Sequence, residues 1–153
     1  MRNLRQYLDD YQVSHQHPLN ALIHVICVPT IFFSTLGLLW AIPVGRWLGL
    51  PPVLNGATLL ALPALLFYAR LSLGAAAAMI AWFGASVALI AGIEAAGWPL
   101  VWICAGLWAA AWAVQFYGHE VEGAKPSFIE DLFFLLIGPL FVMQKLYRRL
   151  DLA

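Results

Sequence analysis

The stretch AAGWPLVWICAGLWAAAWAVQFYG, residues 95–118, decides the fold. From Ala95 to Gly118 it carries no charged side chain, and it ends on the polar run His119, Glu120, Glu122. A helix needs about 20 predominantly apolar residues to cross roughly 30 Å of hydrocarbon, and this stretch is long enough. Working outward, three similar stretches precede it: Ala21 to Gly45, Trp47 to Ala69, and Leu71 to Ile93, punctuated by Arg46, Arg70 and Glu94. Composition agrees. Hydrophobic residues make up 63% and charged residues 10% of the 153, against about 25% charged in soluble domains, and mean hydropathy is +0.82. A soluble fold of this length could not hide so much apolar surface, whereas helices in lipid satisfy their own backbone groups. The expected fold is an all-α, polytopic membrane helical bundle of four transmembrane helices, a single domain over residues 1–153. The short linkers make consecutive helices antiparallel neighbours.

Other features refine this frame. Pro43, Pro51, Pro52 and Pro99 fall near the ends of the stretches, where proline is tolerated, while Pro29 and Pro63 fall inside and predict kinks. The third stretch is rich in glycine and alanine, as in Gly74, Ala75, Ala78, Gly84 and Gly92. That composition suits close helix packing in lipid as well as it suits plain apolar filler. A fifth apolar segment, Leu132 to Gln144, is short for a span and is broken by Gly138-Pro139. It reads as a C-terminal re-entrant or interfacial helical segment. With the N-terminus inside, Arg46 alone of the 8 Lys and Arg residues lies outside. This bias makes the N-terminal face cytoplasmic. Residues 1–10 lack the apolar core of a cleaved signal peptide. Net charge is zero, with no basic run, which argues against a nucleic-acid partner. Cys27 and Cys104 lie inside apolar runs and read as small hydrophobes rather than a disulfide framework.

The histidines are His15, His17, His24 and His119. Four spans bring the start of the first stretch and the end of the fourth to one membrane face, and every histidine with them. Asn20 and His24 share a helix face at i, i+4, and His119 and Glu122 at i, i+3. His15 and His24 point apart on a straight helix, but Pro18 disfavours helix at His17, so a bend there folds His15 back. Asn20, Gln115, Glu120, Glu122 and Asp131 are further polar groups near the apolar zone, where polar residues often mark function. Imidazoles suit zinc, copper and iron, and an open His or His/carboxylate site suits non-haem iron and O2. The commoner use of such groups is hydrogen bonding between helices. Asn20 also suits a helix cap, His17 an interfacial polar residue, and Glu122 a pair with Lys125.

The segment HQHPLNALIH (residues 15–24), followed by Val28-Pro29-Thr30, resembles the first signature of the membrane-bound 2-hydroxy-palmitate dioxygenase family. Gln115-Phe116-Tyr117-Gly118-His119, then Glu122 and Pro126, is similar to its second, and Gly138-Pro139-Leu140-Phe141 to a third block. The resemblance implies an Fe(II)-dependent dioxygenase that uses O2 to shorten 2-hydroxy long-chain fatty acids by one carbon, the reaction of fatty acid α-oxidation. Carried over, His15, His24 and His119 are the metal ligands. Asn20 and Gln115 are expected to hydrogen-bond the substrate, and Lys125 to draw its carboxylate to the interface. Glu122 is left between ligand, partner of a histidine, and neither, because the tail after His119 is shorter than the family's fungal form. Relatives occupy the fungal endoplasmic reticulum, and this compact chain suits a bacterial inner membrane, with its site cytoplasmic.

Readings from other classes are a non-enzymatic transporter or assembly factor, a haem protein with two axial histidines, and a metal-dependent lipid hydrolase. No charge lies within a span and no repeat relates the halves, unlike many transporters.

Overall fold

A computed structural model describes residues 6, 16–123 and 138–142. Among them all regular structure is helical: α1 (Pro18–Trp40), α2 (Val44–Trp47), α3 (Gly56–Leu71), α4 (Leu73–Ala95) and α5 (Leu100–Glu122). Three segments are long and apolar enough to cross a membrane: Pro18–Trp47, Leu73–Ala95 and Leu100–Glu122. They correspond to the first, third and fourth stretches of the sequence.

The second stretch behaves differently. Its helix, α3, has 16 residues, about 24 Å at 1.5 Å per residue, which is short of the roughly 30 Å hydrocarbon core. Local chemistry sets both ends. Pro51-Pro52 interrupts the chain, and Asn55 then builds a reciprocal capping box. Its Oδ1 accepts from the Thr58 amide at 3.1 Å, while Thr58 Oγ1 accepts from the Asn55 amide at 3.0 Å. At the far end Ser72 is extended, and its Oγ accepts from the Ala75 amide at 2.9 Å, capping α4. The helix therefore starts at Gly56 rather than Trp47 and continues past Arg70. Its neighbour α4 closes on Gly97 (φ 70°), with the Trp98 amide donating to the Ile93 carbonyl at 3.1 Å. Glycine tolerates this left-handed turn, and Pro99 prevents continuation. α1 and α3 run on through Pro29 and Pro63. Residues 138–142, around Gly138-Pro139, are helical; the rest of the segment expected to be re-entrant or interfacial lies outside the described residues.

The chain divides into two compact units. In the unit of residues 33–109, α3 packs on α4, with Tyr68, Met79 and Ile90 fully buried. Gly37 of α1 lies directly against the Cys104 side chain of α5, so a side chain at 37 has no room. The Trp40 indole N–H donates to Glu94 at 3.3 Å, giving the carboxylate between the third and fourth stretches a partner. In the unit of residues 1–32 and 110–153, Ile23, Cys27, Ile31, Ala111 and Trp112 form an apolar cluster. Both cysteines are buried and free of disulfides, as expected of small hydrophobes. Outward-facing side chains are large and apolar, including Leu22, Ile26, Leu66, Leu73, Ile80 and Trp102. Interiors meanwhile hold Asn20, Ser34, Ser86, Gln115 and His119. Apolar outside with polar inside is the arrangement lipid favours and water penalises.

Candidate functional site

Four polar side chains are buried together in the unit of residues 1–32 and 110–153: Asn20 and His24 on α1, Gln115 and His119 on α5. Their positions follow from how α1 begins. Pro18 occupies the first helical position, where its missing N–H is not needed, and His17 before it forms a bend. His17 is the cap: its carbonyl accepts from the Ala21 amide at 3.0 Å, and its Nδ1 from the Leu19 amide at 3.2 Å. The interfacial role expected of His17 becomes a defined one. The cap role open to Asn20 falls to His17 instead, because Asn20 lies inside the first turn.

The side chain of Asn20 reaches α5. Its Nδ2 donates to Glu122 Oε2 at 3.0 Å. Glu122 also accepts the His17 amide at 3.0 Å and the Gln16 amide, on Oε1, at 2.9 Å. The end of α5 thus supplies a carboxylate to the N-terminus of α1, where the helix dipole favours an anion. This is a capping box made across two helices, since the Glu that would ordinarily sit three residues after the cap comes from 105 residues away. The i, i+3 pair of His119 and Glu122 exists because α5 continues to Glu122. Glu122→Gln keeps the volume but turns an amide N–H toward donors. We expect a loss of about 1.5–2 kcal/mol in stability, the lower part of the range for charged hydrogen bonds because the group is part-exposed. Thermal unfolding in detergent checks this, together with faster hydrogen exchange at the Gln16 and His17 amides.

One turn deeper, the His24 and His119 rings meet edge to face with centroids 5.1 Å apart. Gln115 Nε2 lies 3.3 Å from His24 Nδ1. The helices approach this closely because residue 118 is glycine. A Cβ there would stand 2.5 Å from Asn20 Oδ1 and 3.2 Å from Ile23 Cδ1. Asn20 Oδ1 is itself buried, with no hydrogen-bond partner among the described residues.

The geometry therefore brings together Asn20, His24, Gln115, His119 and Glu122 of the residues singled out from sequence. His15 and Lys125 lie outside the described residues. Among the described residues, no three His, Cys, Asp or Glu side chains are grouped to hold a metal. The two buried imidazoles nevertheless fit neighbouring positions on one ion, given metal–nitrogen distances of about 2.0–2.1 Å and the 5.1 Å between rings. Two features escaped the reading of the sequence: Gly118 as the point of close approach, and Glu122 as the cap for α1. A glycine and an acid on either side of His119 were the available signals.

The chain matches the family described as 2-hydroxy-palmitic acid dioxygenase Mpo1-like over residues 1–150. It is also 32% identical to the 2-hydroxy-palmitic acid dioxygenase MPO1 of Saccharomyces cerevisiae, over 92% of this chain and 78% of the yeast protein. The chain belongs to the Mpo1-like family. The match takes in both ends of the Mpo1-like chain, where its polar signatures lie, as well as the apolar middle. No solved structure matches the Mpo1-like chain.

Proposed function

We propose that the chain is an Fe(II)-dependent dioxygenase that uses O2 to shorten 2-hydroxy long-chain fatty acids by one carbon. The observation that carries this reading is the burial of His24 and His119 edge to face, with centroids 5.1 Å apart, beside the buried amides of Asn20 and Gln115. Two imidazoles held this way, in a family whose printed description is a 2-hydroxy-palmitic acid dioxygenase, favour a metal centre over a simple interhelical contact. His24 and His119 would hold the iron, with His15 as the third imidazole. The metal would supply Lewis acidity and redox chemistry for O2.

The chain's own residues do the rest. α1 and α5 hold the two imidazoles at fixed separation and exclude water from them. The carbonyl of Asn20, a buried acceptor, suits the hydroxyl of a 2-hydroxy acid. Lys125 draws the carboxylate to the interface, and the alkyl chain lies along the apolar outer faces of the helices in the bilayer. Glu122, turned to the Gln16 and His17 amides, acts by pinning the chain next to His15. The molecule is read as a multi-pass bundle of a bacterial inner membrane. The meeting of His24, near the start of α1, with His119, near the end of α5, asks for an even number of crossings. The short α3 supplies the fourth where the bilayer thins to its length, and the histidine face is cytoplasmic, as the Lys and Arg bias favours.

Iron content tests this reading. Detergent-purified protein loaded anaerobically with Fe(II) is expected to retain about one iron per chain, the stoichiometry of a mononuclear site. His24→Ala and His119→Ala are expected to retain none. Zinc retained in preference to iron would favour a metal-dependent lipid hydrolase. No metal in any preparation would leave the imidazoles as interhelical partners and sink the dioxygenase reading.

A further inference from the structure

Gln115 precedes His119 by four residues on α5, so the two share a face, and both are buried, each 5% exposed. Its amide nitrogen stands 3.3 Å from Nδ1 of His24. We infer that Gln115 is a positioning residue for His24: with its amide turned over, Oε1 accepts a hydrogen bond from Nδ1–H, which leaves the lone pair on Nε2 for a metal ion. The inference rests on the metal reading above and replaces the substrate contact that the sequence suggested for Gln115.

The chemistry is one of tautomers. A neutral imidazole has one N–H and one lone pair, and the partner at one nitrogen decides which nitrogen has which. A carboxamide offers either kind of partner, because a half-turn about its last bond exchanges oxygen for NH2. With the nitrogen toward Nδ1, as here, the amide donates and the imidazole proton resides on Nε2. With the oxygen toward Nδ1, the imidazole donates and the lone pair moves to Nε2. Both arrangements keep the ring paired, but only the second lets Nε2 ligate. Metal binding therefore selects one orientation of the Gln115 amide, in the way that outer partners generally set the tautomer of a ligating histidine. A neutral amide does this at lower desolvation cost than a carboxylate would in an apolar helical unit. A substrate role fits less well, because the amide of Gln115 is already engaged by His24.

The test uses the full chain in detergent with Zn(II), a redox-silent probe. Affinities are measured by competition for wild type, Gln115→Met, Gln115→Glu, His24→Ala and His119→Ala. Gln115→Met, nearly isosteric but without hydrogen-bonding capacity, is expected to bind Zn(II) about 10–100-fold more weakly, the usual effect of losing an orienting partner. Gln115→Glu, which can only accept, is expected to stay close to wild type. Long-range 1H–15N spectra of the Zn(II)-loaded wild type are expected to show His24 protonated at Nδ1 and ligated through Nε2. That spectrum decides the matter even if Gln115→Met does not fold. The inference is overturned, with the metal centre intact, if Gln115→Met binds as tightly as wild type, if both Gln115 variants fall equally, or if His24 ligates through Nδ1. Wild type that takes up no Zn(II), or His24→Ala that keeps it, overturns the metal reading and the inference together.

Discussion

His24→Gln and His119→Gln are each expected to lower turnover of 2-hydroxypalmitate by more than the roughly 100-fold that loss of an outer partner costs a metal site, while leaving the chain folded. Both rings are buried, at 4% and 5% exposure, so alanine at either position would leave a void and unpaired polar neighbours. The void alone would destabilise the helices. For His24 the orphan would be Gln115, whose amide lies 3.3 Å away, and a stranded buried polar group costs about 1–3 kcal/mol. Glutamine fills most of the volume and keeps a hydrogen-bonding end, but is a poor replacement for imidazole as a ligand. Product formation, followed beside thermal unfolding, separates the two roles. Lost turnover with an unfolding midpoint near wild type supports a metal ligand. Full turnover in either variant would remove that histidine from the site.

The second large effect is expected at Gly118. A Cβ there would sit 2.5 Å from Asn20 Oδ1, closer than atoms tolerate, and 3.2 Å and 3.4 Å from two Ile23 carbons. Asn20 cannot swing aside freely, because it is fully buried and its Nδ2 is bonded to Glu122 at 3.0 Å. Gly118→Ala gains about 1 kcal/mol in helix propensity against about 1–3 kcal/mol for overpacking, so a modest net loss is expected. Gly118→Leu has only the larger penalty and is expected to separate α1 from α5, lowering both the unfolding midpoint and metal uptake. Asn20→Ala in the Gly118→Ala background should recover part of the loss, because the clash is with the Asn20 side chain. A double-mutant cycle reads that coupling; additive effects would contradict the proposed contact.

Much of this arrangement was legible in the residues. Hydropathy alone marks α1, α4 and α5, since uncharged runs such as 95–118 have few alternatives to a membrane helix. Spacing predicts that Asn20 and His24 share a face and that His119 lies near the end of the fourth stretch. The long return through the apolar middle then brings His24 and His119 together, as the ring contact at 5.1 Å shows. The length of α3 was harder to see. Hydropathy is blind to Pro51-Pro52 and to the Asn55–Thr58 box, which set where the helix starts. The roles of His17 and Glu122 were hidden for another reason. A capping box is normally read within one helix, and here its acidic member comes from the far end of the chain. Gly118 stood in the sequence only as one residue of the Gln115–His119 signature, because a glycine between Tyr117 and His119 announces nothing about which neighbour it must admit.

Oxygen consumption by the Fe(II)-loaded chain, with 2-hydroxypalmitate and then with palmitate, tests the central claim most directly. The account predicts O2 uptake with the 2-hydroxy acid, accompanied by a product one carbon shorter, and no uptake with palmitate. An iron-loaded protein that consumes no O2 with 2-hydroxypalmitate, or that consumes it without shortening the chain, would contradict the account.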